Sequence, residues 1–542
     1  MPDPRPGEDR NRGAILATLA AAAALYLVLI LPNQPGVLTA AGLRRFPLEL
    51  PAILLALAAC PPRRAAPLRG ALTAFLTATF ALKLADLATE TAFLRPFNPV
   101  LDGTLVAAAW RLARGAVGWP LALLAAATLA ATIVLVACLC WWATGRLAGL
   151  APPRARPLAA LLALPALALI LLDATGRADP PGYARTTEMA GEHVAAALDA
   201  RADLAAFRAD AARDGWAAAP PAAILPALRG TDLLVVFVES YGRAACDNPA
   251  YAASTTAALR DVEAGLAGAG LEARSGFVTA PMVGGQSWLA RASLLSGLTI
   301  DNEGKYRALL GSGRRTLLHL ARRAGWQTAA VMPAITLAWP EAGWFGYDRV
   351  LAAQDLGYRG LPFGWVTMPD QYTLAALDRA LLAPAARPDV MAEVALVTSH
   401  APWTPLPPLL PWAAVGDGSV YDAALRQGDA AEAVWRDPDR VREQYRRAID
   451  YSLRAVGGFA ALPAHRPRLL VVLGDHQPAA FVSGDASGRD VPIHVIGPPA
   501  LVARLDGWGW TPGMAPAPDT SAWPMAAFRD RFLAAFGAGP AD

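Results

Sequence analysis

The stretch that organises this chain is residues 284–298, which read GGQSWLARASLLSGL. Paired glycines open it, Ser287 follows them, and the later residues have the apolar spacing of a helix that stops at Gly297. A glycine-rich entry leaves the first helical N–H groups unpaired at the positive end of the helix dipole, which favours an anion. Taken alone, the run predicts a helix with Ser287 as its cap. The rest of the chain gives this serine a second interpretation.

The second half of the chain alternates short apolar runs with helical patterns. This alternation predicts an α/β domain with a mainly parallel central sheet, covered by helices on both faces. Such sheets bind ligands beyond the carboxyl ends of their strands. We predict strands over residues 233–238, 328–332, 394–398, 469–473 and 492–496. The predicted helices are residues 255–267, 287–296, 316–324, 371–382 and 440–461.

Three of these strands run into residues that can bind a metal. Glu239 follows the first strand, His400 follows the third, and Asp475 with His476 follows the fourth. Carboxylate oxygens and a neutral imidazole nitrogen suit a divalent ion. Because the Ser287 helix should begin at the same rim, the sequence predicts a metal, a hydroxyl nucleophile and an anion pocket. His494, within the last strand, is interpreted mainly as a strand residue.

The predicted parts define a reaction class. A metal lowers the pKa of a serine hydroxyl, which is otherwise a poor nucleophile. Together with a helix N-terminus, the metal neutralises a tetrahedral anion whose transition state needs charge stabilisation. His400 would protonate the leaving oxygen or hold the anionic oxygens of the ester. We therefore expect two-step phosphoryl or sulfuryl transfer through a covalent Ser287 intermediate.

The first 175 residues are dominated by Ala and Leu, and 55% of the whole chain is hydrophobic. They predict a bundle of about five transmembrane helices. The segments are residues 14–31, 47–60, 71–91, 119–142 and 157–172, of which the second is short and carries Glu49. Lys83, Asp86 and Glu90 share one face of the third segment and are interpreted as charges that pair or snorkel near its outer end. The net charge of +3 gives no reason to expect a nucleic-acid partner.

Basic residues in short loops predict the orientation. If the second segment spans, the chain after Asp173 emerges on the outer side; if it does not, the parity reverses. The arginines that favour the cytoplasmic side are Arg5, Arg10, Arg12, Arg63, Arg64, Arg69, Arg146, Arg154 and Arg156, and those that oppose this topology are Arg44, Arg45, Arg111 and Arg114. The predicted domains are residues 1–175 (transmembrane), 176–228 (juxtamembrane connector helix) and 229–542 (extracytoplasmic catalytic domain).

The site motifs resemble the sulfatase branch of the alkaline phosphatase superfamily. Ser287 stands at the cysteine of the sulfatase signature Cys-x-Pro-Ser-Arg, and Arg291 keeps its arginine. Leu289 and Ala290 replace the proline and the serine, which argues against formylglycine maturation and ordinary sulfate-ester hydrolysis. Val-Glu-Ser at residues 238–240 and Gly-Asp-His at residues 474–476 resemble the membrane-anchored lipoteichoic acid synthase-like phosphoglycerol and phosphoethanolamine transferases.

This resemblance implies a bacterial inner (plasma) membrane enzyme whose catalytic domain faces the periplasm or the cell exterior. It implies a membrane phospholipid as donor, an envelope glycan or lipid as acceptor, and one divalent ion, manganese in expectation, with zinc or magnesium as alternatives. By the same resemblance, the metal ligands would be Glu239, Ser287, Asp475 and His476, and the substrate-binding residues would include His400, Arg291, Trp339 and Asp370. Asp370 has a second interpretation as a helix N-cap.

One departure bears on the headgroup. Lipoteichoic acid synthases carry Trp-x-Arg, whose arginine grips glycerol phosphate, whereas this chain has Trp339-Pro340-Glu341. Trp339 is still expected to line the pocket. Two alternatives remain open at this point: a phosphodiester or sulfuric ester hydrolase with water as acceptor, and a non-catalytic envelope sensor on the same scaffold.

Overall fold

The computed structural model describes residues 6–37, 46–93, 95–103, 105–148, 150, 152–177, 182–363, 366–384, 386–484 and 488–539. Arg5, Arg44 and Arg45, which entered the topology prediction, lie outside the described residues. The chain forms two compact units, Met1–Asp203 and Leu204–Asp542. The boundary between them falls inside the predicted connector.

The N-terminal unit contains a helix at each of the five predicted membrane segments. They are α1 (Pro6–Ile30), α2 (Glu49–Ala59), α3 (Pro62–Phe93), α4 (Leu105–Ala148) and α5 (Arg156–Ala174). Among the described residues, four of these helices are long and apolar enough to cross a membrane. The exception is α2, whose 11 residues reach only about 16 Å at the helical rise, against about 30 Å of hydrocarbon. The number of full spans, and with it the predicted orientation, therefore depends on α2.

The membrane charges of α3 are partnered inside the bundle. Lys83 is 1% exposed, and its ammonium donates to the carbonyls of Val28 and Leu29 and to the Thr186 hydroxyl at 3.1, 2.8 and 3.0 Å. Asp86 is fully buried, and its carboxylate contacts His193 Nε2 at 3.1 Å. Interhelical partners, and not snorkelling toward the outer end, therefore satisfy these two charges.

Several of these partners belong to one helix, α6 (Arg185–Ala211), the predicted connector. Thr186 accepts from Lys83, and the N–H of Thr187 donates to Glu49 Oε1 at 3.0 Å. The carboxylate of Glu49 thus lies at the N-terminus of α6, where the helix dipole favours negative charge. The first turns of α6 are consequently fixed within the N-terminal unit.

A nine-stranded sheet forms the centre of the C-terminal unit, in the order β4-β3-β5-β1-β6-β7-β2-β8, with β9 pairing β2. The first five strands in this order, β4-β3-β5-β1-β6, run parallel to one another. All five predicted strands are present. The strands are β1 (Asp232–Val238), β2 (Glu272–Thr279), β3 (Gln327–Met332), β4 (Arg349–Ala352), β5 (Val390–Leu396), β6 (Arg468–Gly474), β7 (Asp490–Gly497), β8 (Thr511–Pro512) and β9 (Trp523–Pro524).

One side of the sheet departs from the parallel arrangement. β7 runs antiparallel to both β6 and β2. Among the described residues between β6 and β7, the only helix has four residues, which is too short to return the chain across the sheet as a parallel crossover requires. β2 and β4 were missed by the sequence analysis, because β2 mixes polar and apolar residues and β4 has four residues.

Helices cover both faces of this sheet, and a separate apolar cluster lies on each face. The predicted helix 287–296 matches α9 in both bounds, and the predicted helix 371–382 is α13 followed by a π-helical segment, Asp378–Leu382. The helices are α7 (Ala244–Asp247), α8 (Ala252–Gly268), α9 (Ser287–Ser296), α10 (Glu303–Leu310), α11 (Leu317–Arg323), α12 (Ala342–Phe345), α13 (Asp370–Leu377), α14 (Asp422–Gln427), α15 (Ala431–Val434), α16 (Pro438–Ala460), α17 (Ala480–Ser483), α18 (Pro499–Val502) and α19 (Phe528–Phe536).

Candidate functional site

Two adjacent strands bring three ligand residues together. β1 and β6 pair in parallel with Val238 opposite Gly474, so Glu239 and Asp475 leave the sheet side by side. Glu239, Asp475 and His476 each offer an atom within 4.8 Å of the others, and all three are buried. This cluster lies at the carboxyl ends of the strands, as the sequence predicted.

Ser287 reaches the same cluster because of the unusual backbone in front of it. Gly284, Gly285 and Gln286 all have positive φ, at 56°, 60° and 57°, a region that glycine adopts without steric cost. The cap of α9 is Gln286, and Ser287 is the first helical residue. Its hydroxyl oxygen lies 3.2 Å from Glu239 Oε2 and 3.3 Å from His476 Nε2. The interpretation of Ser287 as a capping serine is therefore wrong.

The hydrogen bonds behind the ligands leave their metal-binding atoms facing inward. His476 Nδ1 lies 2.8 Å from the carbonyl of Gln477, which assigns a proton to Nδ1 and points Nε2 toward the carboxylates. Asp475 Oδ1 accepts the N–H groups of Ser240 and His476, both at 2.8 Å. Asp475 Oδ2 is buried without a hydrogen-bond partner, which is costly unless a cation satisfies it.

The pKa values describe the same crowding of charge. Burial raises the pKa of the Glu239 carboxyl, but the charges of His476 and His400 outweigh it and hold that pKa well below its usual range. Burial and the Glu239 charge raise the pKa of Asp475 to about 7. Burial lowers the pKa of His476, yet Asp475 and Glu239 raise it to about 9. Protons thus offset the negative charge of the two carboxylates when no cation is bound, and a divalent ion would take the place of these protons.

The donor set fits a divalent metal: two carboxylates, one imidazole and one hydroxyl, with one orphaned oxygen. Such a mixed oxygen and nitrogen set suits manganese, zinc or magnesium to different degrees, and it does not select one of them. Glu239, Asp475, His476 and Ser287 are the residues that would hold the ion.

His400 lies at the rim after β5. Ser399 donates its hydroxyl to the carbonyl of Glu239 at 2.6 Å, which ties the loop of His400 to the first ligand. The imidazole Nδ1 lies 2.7 Å from the carbonyl of Ala401, and this contact orients the ring. Because the charge of His400 contributes to the lowered pKa of Glu239, the imidazole is within electrostatic range of the cluster.

Asp370 has a different place from the one expected of a substrate residue. It is fully buried, and its Oδ1 accepts the N–H groups of Val397 and Thr398 at 2.7 and 2.9 Å. Its Oδ2 accepts from the Ser452 hydroxyl at 2.6 Å. Pro369, not Asp370, is the cap of α13. The carboxylate faces the protein interior and holds the end of β5, from which His400 extends.

Glu393, a residue that was not predicted from the sequence, lies between Arg291 and the aromatic pair of Trp339 and Tyr347. Arg291 Nε lies 3.9 Å from Glu393 Oε1, and the Tyr347 hydroxyl donates to the other carboxylate oxygen. The Trp339 and Tyr347 rings are 5.9 Å apart. Glu393 is 1% exposed within the otherwise apolar β5, and a lone carboxylate in such a strand was the available signal. Arg291, one helical turn after Ser287, is thus held by a buried carboxylate.

Comparisons with known proteins give structural matches only. No protein-family model matches the sequence, and no curated protein matches it. The structure is similar to that of the lipoteichoic acid synthase LtaP from Listeria monocytogenes, with 13% identity, 58% of this chain and 74% of that chain covered, and a TM-score of 0.37. It is also similar to the zinc complex of the C-terminal periplasmic domain of EcEptC from Escherichia coli. That match has 14% identity and a TM-score of 0.38, and it covers 57% of this chain and 83% of that chain. A third similar structure is the phosphoglycerol transferase GacH from Streptococcus pyogenes bound to sn-glycerol-1-phosphate. It has 12% identity and a TM-score of 0.35, and the match covers 54% of this chain and 74% of that chain.

Proposed function

We propose that this chain is a membrane-anchored, metal-dependent enzyme that transfers a phospholipid-derived headgroup, of the phosphoglycerol or phosphoethanolamine type, to an envelope glycan or lipid. The proposal places it among the phosphotransferases and hydrolases of the alkaline phosphatase superfamily, as the sequence motifs suggest. The observation that carries it is the contact of the Ser287 hydroxyl with both Glu239 and His476, at 3.2 and 3.3 Å.

The cation, manganese in this proposal, would supply positive charge that lowers the pKa of the serine hydroxyl and neutralises the phosphate. Ser287 Oγ then attacks the donor phosphorus from the N-terminus of α9, whose unpaired N–H groups favour the anionic oxygens. Arg291, one turn along the same helix and paired with Glu393, would add positive charge on the side of the helix N-terminus. This first step forms a Ser287 Oγ–phosphorus bond.

The bond that breaks in this step joins phosphorus to the oxygen of diacylglycerol, and His400 gives that oxygen its proton. In the second step, His400 takes a proton from the acceptor hydroxyl, whose oxygen attacks the same phosphorus. The Ser287 Oγ–phosphorus bond then breaks, and the headgroup phosphate remains on the acceptor. Ser287 enters the first step as an alkoxide whose proton has gone to solvent, and the second step releases it as the same alkoxide. Both His400 and Ser287 therefore end the two steps as they began them.

The membrane segments support a lipid donor. The described part of the chain includes four helices long enough to span a bilayer, and they would tether the catalytic unit to a phospholipid membrane. We propose that this unit faces the periplasm or the cell exterior of a bacterial plasma membrane, where envelope acceptors lie. A reporter fused after residue 539 tests the side: activity of an exported reporter agrees with the proposal, and a cytoplasmic signal contradicts it.

The test of the reaction uses detergent-purified full chain with phosphatidylglycerol or phosphatidylethanolamine labelled in the headgroup. We expect diacylglycerol to be released and the labelled headgroup to move to an added envelope fraction. Release of the same headgroup phosphate in water, at an equal rate with and without that fraction, would favour a hydrolase instead. Absence of any cleavage of either lipid in the metal-loaded protein contradicts both activities.

A further inference from the structure

Two aromatic side chains of the catalytic unit are unusually exposed and touch each other. Trp435 and Phe481 are 45% and 44% exposed, and their ring centroids lie 5.9 Å apart with the planes at 66°. The two rings meet at an angle and each remains partly exposed, and we refer to this pair as the notch. Exposed adjacent aromatics of this size mark interaction sites more often than isolated ones do.

The Trp435 ring is held flat and rigid. Its inner face stacks on Trp403, with centroids 5.9 Å apart and planes only 8° from parallel. Its indole N–H donates to the carbonyl of Pro402 at 3.2 Å. Trp403, which is 3% exposed, is fixed in turn by a 2.7 Å hydrogen bond from its indole to the carbonyl of Ser399. The outer face of Trp435 is therefore pre-organised for a ligand that stacks.

This notch is connected to the segments that carry the catalytic residues. Pro402, which anchors Trp435, is two positions after His400, and Phe481 is five positions after His476. On its inner side, Trp403 packs against Tyr445, with centroids 5.5 Å apart, and the Tyr445 hydroxyl donates to the carbonyl of Ser240. A chain of contacts thus links the notch to Ser240, the residue next to Glu239.

The surroundings of the notch are polar but not basic. Arg442 Nε donates to the carbonyl of Phe481 at 3.2 Å and pairs with Asp439, and Arg440 pairs with Asp429 at 3.0 Å. Residues 429–442 contain four acidic and three basic side chains, a net charge of −1. A surface that binds anionic lipid headgroups would carry an excess of basic residues.

The indole geometry also argues against membrane insertion. A tryptophan at a bilayer interface keeps its ring in the apolar layer and its N–H toward water. The Trp435 N–H is instead consumed by Pro402, and its ring lies against Trp403. An exposed flat face ringed by carboxylates and guanidinium groups suits a ligand with apolar C–H faces and many hydroxyls. Pyranose sugars have that chemistry.

We propose that Trp435 and Phe481 form a saccharide-binding subsite that positions the acceptor, so that the acceptor is a glycan and not a second lipid. The sugar ring stacks on the outer face of Trp435, Phe481 closes one side, and the Arg440–Asp429 and Arg442–Asp439 pairs meet its hydroxyls. The role of this subsite in holding an acceptor rests on the proposed function. Saccharide binding itself does not depend on catalysis.

The binding test uses the full chain in detergent, titrated with cellotetraose and chitotetraose and followed by tryptophan fluorescence and calorimetry. We expect at least one saccharide to bind, Trp435→Ala to weaken it at least fivefold, and Trp435→Phe, which keeps a stacking face, to weaken it by less than threefold. Val350→Ala, at an exposed apolar residue of β4, is the control and should bind like the wild type. Binding of neither saccharide, or equal binding by Trp435→Ala, overturns the proposal.

The functional arm separates the subsite from the reaction. If the subsite holds the acceptor, Trp435→Ala raises the KM for the glycan acceptor at least fivefold and leaves diacylglycerol release without acceptor unchanged. An equal fall in both rates would make Trp435 a structural residue and overturn the proposal. A loss of binding to phosphatidylglycerol vesicles with an unchanged acceptor KM would assign the notch to the membrane instead. Failure of the proposed function has a different signature, since the wild type would then cleave no lipid while saccharide binding persists.

Discussion

The hydroxyl oxygen of Ser287 lies 3.2 Å from Oε2 of Glu239, although 48 positions separate the two residues in the chain. A serine at the start of a helix usually turns its hydroxyl back to the helix N–H groups. This serine faces a buried carboxylate and an imidazole instead, because the three residues before it have left-handed backbone.

Replacing Ser287 by alanine should abolish turnover, by a factor of about 10³ or more, because its hydroxyl contacts both Glu239 and His476 at the start of α9. Metal content should persist, since Glu239, Asp475 and His476 remain. Ser293→Ala is the control, because that hydroxyl lies on the same helix and bonds only to backbone groups of Leu289 and Ile300. Full activity of the Ser287→Ala protein would contradict the assignment of Ser287 as the nucleophile.

Removing the metal should lower the melting temperature of the purified protein and eliminate activity. A chelator leaves Glu239 and Asp475 buried together without a cation, and Asp475 Oδ2 without any partner. Calorimetry before and after chelation, with manganese added back, measures the effect. In Glu239→Gln the difference should shrink, whereas Glu432→Gln, at an exposed residue, should behave as the wild type. A melting temperature indifferent to chelation in an active protein contradicts the metal site.

Asp370→Asn should reduce both stability and kcat without changing metal content. The amide can no longer accept as strongly from Val397 and Thr398, and breaking such buried bonds costs about 1–3 kcal/mol. Because β5 then ends less rigidly before His400, the pH profile of kcat should change as well. Asp417→Asn, at an exposed loop carboxylate, provides the comparison. A large rise in donor KM with unaltered stability would instead make Asp370 a substrate residue.

His494 should make the fold acid-sensitive. Burial lowers its pKa to about 3, and its ring nitrogens contact Ser275 and Tyr241 at 2.7 and 3.1 Å. Between pH 6.5 and 3 the unfolded chain binds a proton here and the folded chain does not, so this residue should lower the unfolding free energy by about 1.4 kcal/mol per pH unit as pH falls.

Denaturation of His494→Gln between pH 7 and 4 tests this assignment. The variant is expected to be less stable at pH 7 but to lose less stability on acidification than the wild type. His465→Gln, at an exposed loop histidine, should follow the wild-type curve. Identical pH slopes for His494→Gln and the wild type would show that His494 does not carry the effect.

The strand-end residues could be located from sequence because each requires only that a short apolar run stop at a polar residue. Glu239, His400, Asp475 and His476 all follow predicted strands, and parallel strands must bring such ends to one rim. The start of α9 was likewise readable, since its glycines and the stop at Gly297 are local signals. What the sequence could not provide were the hydrogen bonds made at that rim.

Other features depended on partners far away in the chain. The carboxylate of Asp370 bonds to residues 27, 28 and 82 positions away, so its structural role has no local signature. β7 runs antiparallel to its neighbour β6. Apolar periodicity carries no information about the direction of a strand. The second membrane segment, predicted over residues 47–60 as a short one, is α2 (Glu49–Ala59), which begins two residues later and ends one residue earlier.

The central claim is that Ser287 forms a covalent bond to phosphorus. The direct measurement is the intact mass of the metal-loaded full chain after brief incubation with phosphatidylglycerol or phosphatidylethanolamine in the absence of acceptor, followed by peptide mapping. We expect a mass increase equal to the phosphoglycerol or phosphoethanolamine group, located on Ser287 and absent from Ser287→Ala. Diacylglycerol release with no adduct on Ser287, or with the adduct on another residue, would contradict the account.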